Sequence, residues 1–280
     1  MVSDLRGHIS DVERRDCCFS AGRLILLQVT ESCNQYCFHC MRDSGPTRVY
    51  PIDLSLVGPA LDVAVRTIVP DRIVISGGEP TLVPNVVELI EFVNALCIRS
   101  SLCTNATTIT PSRASQLRAA GLTSATVGIE GVNADYDEYR RSNRGFERAI
   151  AGIEALVDAD ISVTINVTVN DRVIHTAAEV ADLLKSTGVK RVCVTSPIRQ
   201  GRLQAISQAN GGRVTKDSFE DFVRRLRALV EGPIAVRTPR CNRDTLCPSG
   251  YSVFSMDRRG RLGPCPDVGA MNILDLPENS

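Results

Sequence analysis

The sequence predicts an α/β fold, a partial (β/α)6 barrel of the TIM type with a small C-terminal β-hairpin extension that bears cysteines. Between residues 23 and 200, short runs rich in β-branched residues alternate with helical stretches. Six such alternations predict parallel strands joined by crossover helices. Because a closed barrel of this type needs eight units, we expect an open sheet. After residue 200 the alternation stops.

Each predicted element rests on its own pattern. The strands are short apolar runs, in chain order residues 23–30, 72–78, 99–105, 124–131, 161–170 and 191–197. The helices repeat apolar residues at helical spacing and lie within residues 51–68, 83–96, 111–121, 145–160, 176–188 and 217–233. Pro111 and Gly121 are typical start and stop signals. In the last helix, the residues expected to point inward are Phe219, Phe222, Leu226 and Leu229.

The chain after the sixth strand predicts different elements. Residues 199–215 are polar and contain glycines, which indicates a surface loop. Residues 251–265 alternate, turn at Gly260 and return, which predicts a hairpin whose glycine has a positive φ. We therefore divide the chain into an N-terminal extension (1–22), a barrel (23–200), a connecting loop and helix (201–240) and a cysteine-bearing C-terminal region (241–280).

Composition excludes several classes of protein. The chain has 280 residues, 43% of them hydrophobic, and a formal net charge of zero. A neutral chain is not typical of a broad nucleic-acid or anionic-membrane surface, so we expect neither partner. The longest apolar runs are too short to cross a membrane, and the charged N-terminus lacks the apolar core of a signal peptide. We expect a cytoplasmic protein.

Cysteine usage carries the functional signal. Eleven cysteines are many for a cytoplasmic chain, and an odd number does not close into a disulfide framework. In a reducing compartment, clustered cysteines bind metal more often than each other. Cys33, Cys37 and Cys40 follow the first strand, at the edge where a parallel barrel collects its functional loops. A disulfide uses two thiols and a structural zinc site usually four. Three thiolates suit an iron–sulfur cube that keeps one iron open.

The stretch CNQYCFHC resembles the cysteine motif of the radical S-adenosylmethionine (SAM) enzymes, with His39 at a position where Phe or Tyr is commoner. The resemblance covers about residues 23–200. It implies a [4Fe–4S] cluster on Cys33, Cys37 and Cys40, with SAM chelated to the open iron. It also implies reductive cleavage of SAM to a 5′-deoxyadenosyl radical, which takes hydrogen from an unactivated C–H bond.

A second motif follows the second strand. Gly77, Gly78, Glu79 and Pro80 resemble the GGE motif of that family, which contacts the SAM amino group. Glycines permit close backbone approach to a ligand, and a carboxylate accepts hydrogen bonds from an ammonium group. An ordinary strand-end turn would have the same sequence, so that reading stays open.

Weaker matches name further candidates for binding SAM. Asn105 falls where the family has an asparagine after its third strand. Gly128 and Glu130 replace a serine and an aspartate, which leaves Glu130 as a candidate for the ribose hydroxyls. Arg140 or Arg144 would pair with the SAM carboxylate, and Arg199 is a candidate on the rim. Each arginine would equally suit a solvated surface position.

A second cysteine cluster lies near the C-terminus. Cys247, Gly260 and Cys265 form a C-x12-G-x4-C element, with Cys241 upstream. This element resembles the start of the SPASM domain or its shorter relative, the twitch domain, which implies a second, auxiliary [4Fe–4S] cluster. A fourth ligand is not obvious. It would be Cys17, Cys18 or Asp267, or the fourth iron would stay open. A hydrogen-atom donor role for one thiol, a three-cysteine zinc site and ordinary thiols without a metal are the alternatives.

The sequence thus predicts a radical SAM enzyme of oxidoreductase or epimerase type, acting on a natural-product precursor. The 22 residues before the first strand are fewer than a leader-peptide-binding domain needs, which favours a carbohydrate or aminocyclitol over a peptide. A peptide maturase that forms a cross-link is the alternative. A non-catalytic iron–sulfur electron carrier or a zinc-binding protein is the alternative of another class. We expect flavodoxin or ferredoxin as reductant, and no residue is assigned to the chemical step on the substrate.

Overall fold

The computed structural model describes residues 22–198, 200–207, 214–230, 232, 234–238, 249–265 and 271–272. In these ranges ten strands form one sheet. Their bounds are β1 Leu24–Gln28, β2 Arg72–Ser76, β3 Arg99–Thr104, β4 Leu122–Ile129, β5 Ser162–Thr168, β6 Arg191–Thr195, β7 Ala235–Arg237, β8 Val253–Asp257, β9 Arg261–Gly263 and β10 Met271–Asn272.

The helices fill the connections between strands. They are α1 Leu54–Ile68, α2 Val86–Ala95, α3 Pro111–Ala119, α4 Ala134–Arg140, α5 Gly145–Asp158, α6 Ala177–Ser186, α7 Arg202–Ser207 and α8 Lys216–Leu229. Side-chain caps start several of them, because the first backbone N–H groups of a helix have no partner within it. Asp53 accepts from the N–H of Ser55 before α1, and Thr110 accepts from Arg113 N–H before α3. No helix within the described ranges has the length and hydropathy that a membrane crossing requires.

The strand order confirms an open barrel. It runs β10-β9-β8-β1-β2-β3-β4-β5-β6-β7, with β10 and β7 at the two edges. All six expected strands are present, and they pair in parallel with their sequence neighbours. The carboxyl ends of β1 to β6 therefore share one rim, where the loops meet.

The C-terminal hairpin is present, and it belongs to the barrel sheet. β8 and β9 pair antiparallel, and Gly260 between them has φ +75°, as the turn requires. β8 also pairs in parallel with β1, with Leu26 opposite Ser255. At the other edge the short β7, which the sequence pattern does not predict, pairs with β6. The sheet thus continues across the boundaries expected at residues 200 and 240.

The two faces of the sheet differ in polarity. Alternate strand residues, such as Leu27, Ile75 and Val127, join one continuous apolar core with the helices. Successive side chains of a strand point to opposite faces, so the residues between them face away from the helices. On this inner face lie mainly small polar residues, among them Gln28, Ser76, Ser101, Ser124, Thr126, Thr164, Asn166, Thr168 and Thr195.

The loop expected at residues 199–215 is wrong in its first part. α7 begins at Arg202, and this arginine is buried with 7% of its surface exposed. Its three side-chain nitrogens each donate a hydrogen bond to the loop that follows β1, to Asp43 Oδ1, Cys37 O and Ser44 O. A polar stretch therefore forms a helix here because contacts distant in sequence satisfy its charge.

Candidate functional site

The cysteines lie in a loop after β1, residues 29–45, here termed the cysteine loop. A bridge between Ser32 and Gly45 closes it, with Cys33 N donating to Gly45 O at 2.9 Å. Cys33 and Cys37 are buried, and Cys40 is half-buried. The three are free thiols that lie within electrostatic reach of one another. The structure therefore brings together the three residues that the sequence motif selects.

The environment of the thiols fits a thiolate-bound metal group. Backbone N–H groups point at two sulfur atoms, Gln35 N at Cys33 Sγ (3.4 Å) and Ser44 N at Cys40 Sγ (3.3 Å). Burial raises the pKa of Cys33 to about 11 and of Cys37 to about 12, so these thiols keep their protons until a metal displaces them. Within the described ranges, no three His, Cys, Asp or Glu side chains stand at the spacing of ligands to a single metal ion, whereas a cluster would take each thiolate on a different iron.

The glycine pair after β2 permits a close approach between backbones. Gly78 N donates to Thr30 O at 2.7 Å and Glu79 N donates to Ser32 O at 2.8 Å. A Cβ at Gly77 would overlap Thr30 O, and one at Gly78 would overlap Ser32 O. Gly77 also has φ +146°. The glycines thus press this turn against the start of the cysteine loop, a contact more specific than an ordinary strand-end turn requires.

Glu79 joins two of the loops at the rim. The carboxylate is fully buried and accepts four hydrogen bonds. Oε1 accepts from Thr81 N (3.1 Å), Thr81 Oγ1 (2.6 Å) and Thr104 Oγ1 (2.7 Å), and Oε2 accepts from Asn105 N (2.7 Å). Burial raises the pKa of Glu79, although these bonds act in the opposite direction. Pro80 is the first residue of the short 3-10 helix Pro80–Leu82, and it is buried.

Asn105 faces the cysteine loop. Its Nδ2 donates to Asn34 Oδ1 at 2.8 Å and lies 3.8 Å from Cys33 Sγ. Its Oδ1 accepts from the N–H of Thr107 (3.0 Å) and from the Thr107 hydroxyl (2.7 Å), which fixes the amide orientation. The residue is therefore a positioned contact between the end of β3 and the first cysteine.

Glu130 and Arg140 form a buried ion pair beneath the same loop. Arg140 Nε donates to Glu130 Oε2 at 2.5 Å, and Nη1 donates to Gln35 Oε1 at 2.8 Å. His39 Nε2 lies 3.4 Å from Glu130 Oε1, and its ring stacks on Tyr139 with centroids 5.2 Å apart. The pair therefore fastens the helix α4 and the end of β4 to the cysteine loop.

Each member of this pair stabilises the charged form of the other, which burial alone would disfavour. Desolvation raises the pKa of Glu130. Arg140 and His39 lower the pKa by more than this, so that it falls to about 2. Glu130 in turn raises the pKa of Arg140 well above its usual value. A solvated surface position is therefore wrong for Arg140. It is correct for Arg144, which is exposed and pairs with Glu147 on the surface.

Gly128 follows from the same ion pair. A Cβ at this position would overlap Arg140 Nη2 and come within 2.9 Å of Glu130 Oε1. The serine that the family motif has here would therefore compete with the guanidinium for space. Glycine at position 128 therefore leaves the space in which Arg140 pairs with Glu130.

Arg202 is a residue of this site that sequence reasoning missed. Its guanidinium donates to Cys37 O and Ser44 O, both backbone atoms of the cysteine loop. Gly201 before it has φ +58°, and a Cβ there would lie 2.5 Å from Cys40 O. The only sequence signal is a Gly-Arg pair after the sixth strand, and such a pair is common in ordinary loops.

The remaining candidates fall partly outside the described residues. Arg199, Cys241 and Cys247 lie there, as do Cys17, Cys18 and Asp267. Cys265 is described, half-buried just after β9. Three other cysteines carry the expectation of a core thiol, and the structure divides them. Burial raises the pKa of Cys103 to about 11. Cys193 is buried on β6 as expected, although it is disulfide-bonded rather than a free thiol. Cys97 is exposed, so the expectation of a core position is wrong for this residue.

Comparison with known proteins identifies a family model and several relatives that resemble this chain. A family model described as the radical SAM superfamily matches residues 27–184. An AdoMet-dependent heme synthase of Methanosarcina barkeri is 34% identical over 185 residues, 65% of this chain and 53% of that protein. One of Nitratidesulfovibrio vulgaris is 30% identical over 86% of this chain and 69% of its own length. The mycofactocin maturase MftC of Mycolicibacterium smegmatis is 29% identical over 49% of this chain and 36% of its own length.

Solved structures share the fold at lower identity. Streptococcus suis SuiB bound to S-adenosylmethionine superposes with a TM-score of 0.71 and 14% identity, over 92% of this chain and 64% of that one. The protein anSMEcpe with bound AdoMet gives a TM-score of 0.71 and 17% identity, over 90% and 78%. The chain spans about half the length of two of the heme synthases that it matches.

Proposed function

This chain belongs to the radical SAM superfamily, and on that premise we propose that Cys33, Cys37 and Cys40 bind the family's [4Fe–4S] cluster. The cluster and SAM, when bound, supply a 5′-deoxyadenosyl radical that takes hydrogen from an unactivated C–H bond. The observation that supports this assignment is the convergence of three thiols in a loop that directs backbone N–H groups at their sulfur atoms. Such N–H groups stabilise thiolates by charge-assisted hydrogen bonds.

The neighbouring loops have separate tasks in this proposal. Gly77 and Gly78 bring Glu79 to the rim beside the cysteine loop, where its carboxylate would accept the SAM ammonium group. Oε2 accepts only from Asn105 N among the described residues, so its second lone pair would take the ammonium group; at Oε1 the Thr81 hydroxyl could give way, because it can bond Thr108 Oγ1 (2.5 Å) instead. Asn105 holds the first cysteine in place.

Glu130, Arg140 and His39 act indirectly in this scheme. The carboxylate oxygens of Glu130 are taken by Arg140 and His39, so we assign the group to holding the cysteine loop rather than to contacting the nucleotide. Arg199 stays a prediction for the SAM carboxylate, on the same rim after β6.

The test is anaerobic reconstitution with iron and sulfide, followed by SAM and dithionite. The wild-type protein should release 5′-deoxyadenosine. Cys37→Ala should release none, because one iron loses its ligand. Cys97→Ala is the matched control, since Cys97 is an exposed free thiol away from the rim, and it should match the wild type. Release of 5′-deoxyadenosine by Cys37→Ala at the wild-type rate would refute the assignment.

We propose that the substrate is a neutral, hydroxylated or amide-bearing natural-product precursor, which is oxidised or epimerised. The inner face supports this. Asn166 Nδ2 lies 3.2 Å from Thr168 Oγ1 and 3.3 Å from Thr195 Oγ1, so the partly exposed Asn166 and Thr195 form a loose network with the buried Thr168 near the rim. These long bonds leave hydrogen-bonding capacity for hydroxyl or amide groups. The buried arginines at the rim, Arg140 and Arg202, already have partners.

Two other substrates follow from the names of relatives. Some relatives are named heme synthases, which suggests an anionic tetrapyrrole, and one is named a peptide maturase, which suggests a peptide cross-link. Deuterated members of the three substrate classes would separate these proposals. The true substrate should transfer deuterium to 5′-deoxyadenosine, and Asn166→Leu should raise KM for it at least several-fold. Transfer from a tetrapyrrole alone would contradict the neutral-substrate proposal.

We further propose that Cys241, Cys247 and Cys265 hold an auxiliary [4Fe–4S] cluster that accepts the electron left after hydrogen abstraction. The positive φ of Gly260, which turns the chain back before Cys265, supports it. Flavodoxin or ferredoxin is the proposed reductant in place of dithionite. Iron counted in the wild type and in a triple alanine variant at these cysteines tests the site. Equal iron in both would exclude the second cluster.

Metal analysis would distinguish a protein of another class before any assay with SAM. A zinc-binding or non-catalytic iron–sulfur protein with this fold would contain zinc, or iron without SAM turnover. Metal analysis of the anaerobically purified protein therefore precedes the assays. Roughly equal iron and sulfide, with a visible spectrum that dithionite bleaches, is the result we expect.

A further inference from the structure

Arg202 lies far from the cysteine loop in sequence, yet it makes most of its contacts there. Its Nη1 donates to Cys37 O, and Nη2 donates to Ser44 O at 2.6 Å. Its Nε donates to Asp43 Oδ1 at 3.0 Å. A guanidinium is a planar fork, so these acceptors fix it in one orientation. The loop that carries all three thiols is thus fastened by a residue of α7.

The backbone and the stacking of Arg202 add to this attachment. Its own N–H donates to Cys40 O at 3.0 Å, and its guanidinium carbon stands 3.4 Å from the centroid of the Tyr36 ring. Gly201 lets the two backbones come this close. The side chain is buried with 7% of it exposed, and among the residues that the structure describes its ion-pair partner is Asp43, itself mostly exposed. A positive charge is therefore held within the cysteine loop.

We infer that Arg202 is a positioning residue for the metal group of the cysteine loop, with two separable effects. Its fork holds the loop closed around the thiols before any metal binds. Its charge favours the one-electron reduced form of the bound cluster, because an added electron is stabilised by a nearby cation. The second effect rests on the proposed function; the first does not.

The first effect is testable on the metal-free protein. Alkylation of individual cysteines by iodoacetamide, followed by peptide mass spectrometry, reports loop closure. Arg202→Gln should speed alkylation of buried Cys37 about tenfold or more relative to exposed Cys97, the internal reference. Arg202→Lys should also speed it, since an ammonium cannot bridge Cys37 O and Ser44 O as a fork does.

The second effect is testable on the reconstituted protein. At a fixed reducing potential, the ratio of reduced to oxidised cluster, read by electron paramagnetic resonance, should fall about fivefold in Arg202→Gln. Arg202→Lys keeps the charge and should stay near the wild-type ratio. A merely structural role would not separate the two variants in this way.

Arg225→Gln is the matched control. Arg225 also joins two elements through a backbone carbonyl, donating from Nη2 to Ile174 O at 2.6 Å, but on α8. It should leave both measurements unchanged. Wild-type alkylation of Cys37 in Arg202→Gln would overturn the loop-closing role, and an unchanged reduced fraction would overturn the role of the charge. An equal effect of Arg225→Gln would overturn both roles of Arg202. If the reconstituted wild-type protein contains no cluster, the proposed function is refuted, and the alkylation test still decides the loop-closing role.

Discussion

The ion pair of Glu130 and Arg140 shows how single residues determine the site. Both side chains are buried, with 1% and 6% of their surface exposed, so each depends on the other for its charge. Burying a charge costs several kcal/mol unless a partner compensates it. Arg140, which compensates the charge of Glu130, also donates to Gln35 in the cysteine loop. The stability of the pair and the conformation of the loop are therefore coupled.

Glu130→Gln should destabilise the fold strongly, because it leaves the Arg140 charge buried without a counter-ion. Removing one partner of a buried pair costs about 3–5 kcal/mol. Urea unfolding of the metal-free protein measures the loss. Glu147→Gln, which breaks the exposed pair with Arg144, is the control and should have little effect. Equal stability of the two variants would contradict the buried pair.

Gly78→Ala should disrupt the contact between the β2 turn and the cysteine loop. The added methyl group would overlap Ser32 O, a backbone atom that cannot rotate away, so we expect a loss of about 1–3 kcal/mol and less iron after reconstitution. Gly58→Ala in α1 is the control, because its Cβ would meet only the Phe92 ring at 3.1 Å. Equal iron content in the two variants would argue against the close approach.

At the scale of elements, α8 shows what helical spacing does and does not predict. The stripe that the sequence assigns inward is confirmed at Phe222 and Leu226, which are fully buried. Phe219 is only partly buried, and Leu229, in the last turn, is 40% exposed. The period predicts a face, but the end of a helix can extend past the surface that it packs on.

Phe222→Ala should therefore cost about 3–5 kcal/mol of unfolding free energy, as truncation of a buried aromatic does. Leu229→Ala should cost much less, although periodicity places both residues on one stripe. Chemical unfolding of the two variants, with secondary structure followed by circular dichroism, makes the comparison. Similar losses would mean that Leu229 is covered in solution.

Burial of charge was the part of the site that element patterns could not predict. Arg140 and Arg202 are typical surface residues by type, and each is buried because partners distant in sequence satisfy it. The cysteine spacing and the glycine pair were predictable because chemistry and backbone geometry restrict those positions to few residue types. Arginine is not restricted in that way, so its place became evident only from the fold.

At the scale of the whole molecule, six strands were predictable because each is a short apolar run bounded by breakers. Their parallel pairing followed from the crossover helices. The pairing of β8 with β1 was not predictable, because a local pattern that indicates a hairpin contains no information about a distant partner strand. The three-residue β7 is too short to give a pattern at all.

Met256 tests whether the hairpin is part of the core. It lies on β8, is fully buried and belongs to the same apolar cluster as the barrel. Met256→Ala should cost about 2–5 kcal/mol in global unfolding. Met271→Ala on β10, where 60% of the side chain is exposed, is the control and should change stability little. A hairpin that merely rests beside the barrel would leave both variants alike.

The union of β8 with β1 has a consequence for biosynthesis. In the nascent chain β1 keeps one hydrogen-bonding edge bare until residues 253–257 emerge, more than two hundred residues later. An uncovered edge of this kind recruits other chains, and long-range pairings form slowly. Translation speed and chaperone supply should therefore govern the yield of native protein, and a late ribosomal stall should send the nascent polypeptide into inclusion bodies.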